Sequence, residues 1–495
     1  MVKCKIYFTF NFFIILSMSY DYDIIVLGAG GGGLTAAIGG AGIGAKVLLV
    51  EGEKLGGDCT HYGCVPSKAL IRAAHAVHAT SEREIFGLAP LDMQKKASDA
   101  HTVLTHVRSV VDDIERRFED PEEIESHGVA IEMGFARFVD AHTIEVNDQK
   151  ISAKKFVIAT GARPAELPID GLAQSDPKTN RTIFAADNFS SLTVIGSGPI
   201  GCELGQAFAR LGVQVNIITR DDRVLGRDDA EASAIVGRSL DADGVSVYYS
   251  KDVNSVSVRG DQKVVSVTCQ NSGEAKDIVA DEILVAIGRQ PNVEQLNLEA
   301  AGVEYDQRKG IRVNDQTQTN VSHIYAVGDV ATPWKFTHYA NHMAKIALTH
   351  AIFKIPAKMS TVIPRATFTS PEVASIGLSA ADAQAEPSQY LIFDKGYDFV
   401  DRAITDLAED GLFRIITDTK GKIVGATIVG GPAGEMINEI ALAMKNGITI
   451  AQLADTIHAY PTYGYGLRNC ADQFRQRGYT DSKKKWVKKI FGLRG

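Results

Sequence analysis

Cys59 and Cys64 stand five positions apart in GGDCTHYGCVPSKAL, Gly56 to Leu70, flanked by glycines and placed where a helix is expected to begin. Cysteines so spaced can come within disulfide distance, and the start of a helix favours the thiolate over the thiol. The thiolate is the species that exchange chemistry needs. A free thiol titrates near pH ~8.5, and lowering it by two units asks for roughly 2.7 kcal/mol, within reach of a helix terminus and a nearby cation. Two other readings compete with a redox pair. A structural zinc site needs a second cysteine or histidine pair at ligand spacing, which the chain lacks, so no metal ligands are assigned. Two inert buried cysteines fit poorly with the surrounding glycines and with the nucleotide-binding turns described next.

The elements that must position this pair are legible on either side of it. YDIIVLGAGGGGLTAAIGGAGIGAKVLLVE, Tyr22 to Glu51, reads as strand, glycine turn, helix, strand. Gly28, Gly30 and Gly33 form G-x-G-x-x-G in that turn, which lets the backbone approach a pyrophosphate resting on the helix N-terminus. Glu51 closes the second strand, where a carboxylate accepts hydrogen bonds from a ribose. The same grammar recurs from Ser191 to Arg220 with Gly196, Gly198 and Gly201. Its second strand ends on Thr219 and Arg220, and a neutral residue followed by a guanidinium favours a 2′-phosphate, hence NADPH. Asp221 and Asp222 follow and would repel that phosphate, which leaves NADH as the alternative and a solvated strand-end charge as the plain reading of Arg220.

Elsewhere, Ala97 to Glu125 reads as one charged helix and Gly128 to Val157 as strands. From about Thr361 the strands RATFTSPEVASIGL and LFRIITDTKGKIVGATIVG precede a helix near Glu435 to Asn446, the pattern of a separate α+β unit. The 495 residues, 45% apolar and 23% charged, suit about three domains. A net charge of −8 supplies no concentrated basic face, so a nucleic-acid partner is not expected. Of the six cysteines, Cys4, Cys202, Cys269 and Cys470 have no close neighbour of their kind, which rules out a disulfide scaffold.

Taken together, the motifs resemble those of the FAD-dependent pyridine nucleotide–disulfide oxidoreductases, the group containing dihydrolipoamide dehydrogenase, glutathione reductase and mercuric reductase. The resemblance runs from about Tyr20 to Gly478. It rests on CTHYGCVPSK, both glycine turns, VIATGARP (Val157 to Pro164), VAIGRQPN (Val285 to Asn292), IYAVGDV (Ile324 to Val330) and ATFTSPEVASIGL (Ala366 to Leu378). It implies that Cys59 is the thiol that meets the acceptor and Cys64 the one lying against the flavin. Lys68 then matches the lysine beside the reactive flavin nitrogen, and Glu203 its ion-pair partner. Asp329 matches the aspartate bonded to the ribityl chain, with Gly328 allowing the approach. Gly57, Thr160 and Gly161 join Gly28, Gly30, Gly33 and Glu51 in the implied FAD set. Gly288 joins Gly196, Gly198, Gly201, Thr219 and Arg220 in the implied NAD(P) set. Pro199 stands where glutathione reductase-like members commonly carry a gating tyrosine.

The pattern breaks at HAYPTYGYG. Disulfide-reducing members place a histidine and a glutamate where this chain has Tyr460 and Tyr465. A phenol with pKa near ~10 shuttles thiol protons poorly, and losing a placed acid–base group costs about 10²–10⁴ in rate. Tyrosine at this position is similar to mercuric reductase, where a phenol helps hold a metal ion. That enzyme's C-terminal cysteine pair and its N-terminal metal-binding module are nevertheless not expected here, the last cysteine of the sequence being Cys470. The expected acceptor is a metal ion, a quinone or an unusual disulfide. A dihydrolipoamide dehydrogenase with another proton carrier, and a slowly turning flavin-binding redox sensor, are the alternatives. His458 is the obvious replacement base, but on an extended strand its displacement by two residues points it elsewhere.

The expected fold class is α/β: two doubly wound dinucleotide-binding domains, for FAD and NAD(P), plus a C-terminal α+β dimerisation domain. The expected boundaries are an extension over 1–19, an FAD domain over 20–160 and 289–360, an NAD(P) domain over 161–288, an interface domain over 361–480 and a basic tail over 481–495. The expected cofactors are FAD and NADPH, and the expected partner a second copy of the chain, with Tyr460 reaching the other subunit's site. Lys3 and Lys5 precede an apolar run, Ile6 to Leu16, read as an extension ahead of a start at Met18, with a signal or anchor as the alternative. The tail sets Trp486, Ile490 and Leu493 at helical spacing among five lysines, which suits peripheral contact with a membrane by an otherwise cytoplasmic protein.

Overall fold

The computed structural model describes residues 20–81, 83–89 and 100–493. The N-terminal extension, with Cys4 and its apolar run, lies outside the described residues, as do Ala97 and Arg494.

β1 (Tyr22–Leu27) is buried from Ile24 onward because β2 (Val47–Glu51) and β6 (Gln149–Ile158) flank it in parallel register and helices cover its faces. α1 (Gly31–Gly42) makes the crossover between β1 and β2. After β2 come α2 (Gly57–His61), α3 (Cys64–Ser81), α4 (Ala100–Phe118), α5 (Pro121–Ser126) and β3 (Val129–Met133). The single helix expected over 97–125 is therefore two. Pro121 cannot continue α4, and the Asp120 side chain starts α5 by accepting from Glu122 N at 2.9 Å. β4 (Arg137–Asp140) and β5 (Thr143–Val146) complete a sheet ordered β3-β2-β1-β6-β5-β4, and β7 (Ala162–Pro164) leaves it.

The second unit repeats the first. β8 (Ser191–Ile195), α6 (Pro199–Arg210), β9 (Gln214–Ile218), α7 (Ala230–Ala242) and β10 (Ser246–Tyr248) form, with β14 (Glu282–Val285), a parallel sheet ordered β10-β9-β8-β14. An antiparallel layer of β11 (Lys251–Arg259), β12 (Gln262–Cys269) and β13 (Ala275–Ala280) sits between β10 and β14 in the chain. β15 (Arg289–Pro291) then pairs back onto β7, so the chain leaves and re-enters the first unit through one short ribbon. β16 (Tyr305–Asp306) and β17 (Gly310–Ile311) form a ribbon, β18 (Ile324–Ala326) joins β6, and α8 (Thr337–Phe353) packs Met343, Ala344 and Ala347 against Ala36 and Ala37 of α1.

In the third unit β19 (Arg365–Thr367), β20 (Val373–Gly377), β21 (Tyr390–Gly396), β22 (Leu412–Asp418) and β23 (Ile423–Val429) make an antiparallel sheet ordered β19-β20-β23-β22-β21. With it come α9 (Ala380–Ala385), α10 (Asp401–Thr405), α11 (Ala433–Asn446), α12 (Ile450–Asp455), α13 (Tyr465–Gln476) and α14 (Asp481–Phe491). This is the expected fold class. One buried cluster joins Leu70 of α3, Leu104 of α4, Phe208 of α6 and Val373 of β20, so the cysteine-bearing segment is wedged where all three units meet. Among the described residues no helix is long and apolar enough to cross a membrane.

Candidate active site

The three glycines of the first turn serve three different needs. Gly28 has φ +102°, and a Cβ there would meet Ala159 O at 2.5 Å. A Cβ on Gly33 would lie 1.7 Å from Gly28 O, so the third glycine lets α1 sit directly on the strand end. Gly30 meets nothing within 4 Å and faces open space. Glu51 ties the turn to β2 by accepting from Ala29 N at 2.6 Å and Glu53 N at 2.8 Å. The second turn copies this scheme: Gly196 has φ +110°, a Cβ on Gly201 would reach Gly196 O at 2.0 Å, and Gly198 is open.

A cavity of about 1150 Å³ brings the expected FAD residues together. Glu51, Gly28 and Gly30 of the first unit's turn, Gly57, Thr160, Gly161, Gly328 and Asp329, and Cys59, Cys64, Lys68 and Glu203 all line it, whereas Gly33 does not. Gly57 abuts the first turn, where a Cβ would come 2.8 Å from Gly30 Cα. Thr160 Oγ1 donates to Asn292 O at 2.8 Å and Asn292 Nδ2 returns a bond to Thr160 O, which locks VIATGARP onto VAIGRQPN. The Asp329 carboxyl is held above the usual carboxylate range by burial, against the opposing charges of Arg289 and Lys335. Arg289 spans the wall, 2.7 Å from Asp58 and 3.4 Å from Asp329, and its buried Nε lacks a hydrogen-bond partner within the protein. An open glycine turn, an unsatisfied donor and a carboxylate at the sheet's end fit a dinucleotide such as FAD.

Cys59 lies on the short helix α2 and Cys64 is the first residue of α3, so the helix N-terminus favours negative charge on Cys64. The two are not bridged here, with Cys64 exposed to the cavity and Cys59 half-buried. Cys64 is brought down to about 6 by the hydrogen bond from Cys59, and further by Lys68 and the Thr337 hydroxyl 3.9 Å away, against the effect of burial. Cys59 moves upward because it keeps the shared proton. The pair thus holds one thiolate, on Cys64. Lys68 Nζ lies 2.9 Å from Glu203 Oε2 and 4.2 Å from the Phe368 ring centroid. Glu203 is buried, and its other oxygen accepts from Phe368 N at 2.9 Å, so this is no loose surface pair. Beneath α2 the buried Glu119 accepts from Thr60 Oγ1 at 2.5 Å, and burial raises its carboxyl.

The expected NAD(P) residues gather at the second turn. Pro199, Ile200, Glu203 and Leu204 of α6 line the cavity, so this helix touches both sites. Thr219 is buried and shares a 2.8 Å bond with Ser197 Oγ. Arg220 is exposed and 3.0 Å from Asp252, an ion pair that a phosphate would have to compete with. Gly288 precedes β15, where Ala165 N donates to its carbonyl at 3.0 Å.

Tyr460 stands apart from the cavity, 65% exposed on the third unit. Its hydroxyl donates to Asp401 Oδ2, which holds the phenol above its usual pKa, and its ring meets that of Tyr465 edge-on at 5.5 Å. Arg468 donates to the Tyr465 hydroxyl at 3.1 Å. The segment around His458 is a loop and not the strand expected. The His458 ring is committed within its own unit, with Nε2 2.9 Å from Glu439 Oε1 and Nδ1 3.0 Å from Thr456 O. Asp58, Arg289, Thr337 and Asp401 are site residues that the sequence reading missed. Arg289 lay within a quoted motif, whereas Asp401 and Thr337 have only their folded neighbours to reveal them.

The pyridine nucleotide-disulphide oxidoreductase family matches residues 22–347, and that family's dimerisation domain matches residues 363–469. A mercuric reductase from Lysinibacillus sphaericus is 36% identical over 89% of this chain and 80% of its own length. A dihydrolipoyl dehydrogenase from Thermus scotoductus is 34% identical over 89% of this chain and 95% of its own. The solved structure of the HOCl-induced flavoprotein disulfide reductase RclA from Escherichia coli superposes with a TM-score of 0.81 at 23% identity, over 91% of this chain and 99% of that one, a likeness of fold.

Proposed function

The chain belongs to the pyridine nucleotide-disulphide oxidoreductase family, whose members use FAD and NAD(P)H, and from that premise we propose that it passes electrons from NADPH through FAD to Cys59–Cys64 and on to a metal ion, a quinone or an unusual disulfide. The observation that carries the choice of acceptor is Tyr460, a phenol whose hydroxyl donates to Asp401 and whose ionisation that carboxylate opposes.

FAD, when bound, supplies the relay between a two-electron hydride donor and a dithiol. The chain's own residues do the rest. In this reading the open turn at Gly30 receives the pyrophosphate, Glu51 the ribose and Asp329 the ribityl chain, while Gly196, Gly198, Gly201, Gly288, Thr219 and Arg220 hold the nicotinamide dinucleotide. Residues 20–160 with 289–360 act as the FAD domain, 161–288 as the NAD(P) domain and 361–480 as the dimer interface. The two electrons of the hydride break the Cys59–Cys64 bond and its proton goes to Cys59, leaving a thiolate on Cys64 beside Lys68 and a thiol on Cys59. Glu203 anchors Lys68 so that its charge stays at the electron-rich end of the cavity. Cys59 then meets the acceptor, beside Tyr460 of a second copy. A neutral phenol can donate a hydrogen bond or lend an oxygen to a bound metal ion, but is a poor base for a thiol.

A panel of acceptors tests this. Mercuric ion or quinones should be reduced at the expense of NADPH with kcat/KM at least about 10²-fold above lipoamide and glutathione disulfide. Fast lipoamide turnover would overturn the role given to Tyr460. It would favour a dihydrolipoamide dehydrogenase using His458, whose imidazole–carboxylate pair with Glu439 supports that alternative.

A further inference from the structure

The basic C-terminal segment is the sequence feature that the redox reading leaves unused. α14 (Asp481–Phe491) starts at a Thr480 cap and lies beyond residue 469, where the match to the dimerisation domain ends. At 3.6 residues per turn, Trp486, Val487, Ile490 and Phe491 fall on one side and Lys484, Lys485, Lys488 and Lys489 on the other, with only Lys483 of the first turn on the apolar side. Trp486, Ile490, Phe491 and the following Leu493 are each more than half exposed. The helix gathers five lysines and one aspartate in a chain whose net charge is −8.

We propose that α14 docks the enzyme on an anionic membrane surface, with Trp486, Ile490 and Phe491 among the acyl chains and the lysines on lipid phosphates. The inference does not depend on which acceptor the redox site serves. An apolar face with an aromatic anchor, backed by lysines and low in overall hydrophobicity, is the composition of a helix lying in the interface plane. Eleven residues of helix reach only about 16 Å, too short for a hydrocarbon core of about 30 Å, so the helix lies on the membrane and does not cross it. Pairing with the α14 of a second copy through the apolar faces would bury the Lys483 ammonium of each helix in the seam without an acidic partner, whereas anionic lipid supplies the opposite charge. A dimer would present two such helices, and simultaneous engagement multiplies a weak single contact.

The test uses the full-length holoenzyme and vesicles of phosphatidylcholine alone or mixed with phosphatidylglycerol. Co-sedimentation should be about tenfold or more stronger with phosphatidylglycerol and should fall as salt is raised. The chain has two tryptophans, so in a Trp334→Phe background Trp486 alone reports insertion, through a blue shift seen only with the anionic vesicles. Two variants, Lys484→Glu/Lys488→Glu/Lys489→Glu and Trp486→Ser/Ile490→Ser, should each lose vesicle binding while keeping wild-type NADPH oxidation and dimer size. Equal partition into both vesicles, no partition, or variants that bind like wild type would overturn the proposal. Dissociation of the variants into monomers would also overturn it, and would place α14 at the subunit interface instead.

Discussion

Cys64 is where the account is most exposed to a pH measurement. Its thiolate is favoured by the hydrogen bond from Cys59, then by Lys68 and Thr337, which together bring it to about 6. In the two-electron-reduced enzyme the thiolate–flavin absorbance should therefore grow as pH rises through about 6 and fade below it. Removing the ammonium removes stabilisation of the charged form, so Lys68→Met should move that midpoint upward, and Thr337→Val should move it the same way by less; a pH titration of the long-wavelength band checks both. The second residue-scale prediction concerns Tyr460. With Asp401→Asn the phenol loses the anion that opposes its ionisation, and its ultraviolet titration should shift downward towards ~10. Tyr460→Phe should lower kcat/KM for a mercuric acceptor by about tenfold or more with the flavin spectrum unchanged. The cysteines, Lys68 and Glu203 were legible because they lie in contiguous motifs. Asp401 was not, because its bond to Tyr460 joins residues fifty-nine positions apart, and only the packing of α10 against the 456–464 loop creates it.

Among the elements, the strand–turn–helix units were the most legible, since a buried parallel strand must be a continuous apolar run and its turn must be glycine-rich. The glycines make separable predictions. Gly33→Ala places a methyl group 1.7 Å from Gly28 O, which drives α1 off β1; the protein should be colourless and lose several degrees of Tm. Gly30→Ala meets no protein atom and its φ of −73° suits alanine, so the fold should survive while flavin affinity falls by about tenfold or more, as spectrally monitored flavin release would show. The break between α4 and α5 was less legible. The charge pattern runs through it, and the decisive feature is the Asp120–Pro121 pair, where a cap and a missing N–H outweigh helical periodicity. The β11–β13 layer and β21 passed unnoticed because their alternation is short and interrupted by loops.

For the whole molecule, three units meet at α3, and the third holds Tyr460 away from the cavity of its own subunit, facing solvent. If the site is completed by a second copy, mixing two impaired partners should raise activity above both. A Cys59→Ser subunit paired with a Tyr460→Phe subunit forms one site with both wild-type groups, and activity towards the mercuric acceptor should exceed that of either homodimer. Recovery absent from a verified mixed dimer would place Tyr460 at its own subunit's cysteines or outside the reaction. The most direct test of the central claim, that electrons from the nicotinamide reach the flavin-facing thiol of a Cys59–Cys64 pair, is anaerobic addition of one equivalent of NADPH with absorbance followed at long wavelength. A thiolate–flavin band is expected in the wild type, the same band before any reductant in Cys59→Ser, and none in Cys64→Ser. A wild type reduced without that band, or a Cys64→Ser enzyme that retains it, would remove Cys64 from the electron path.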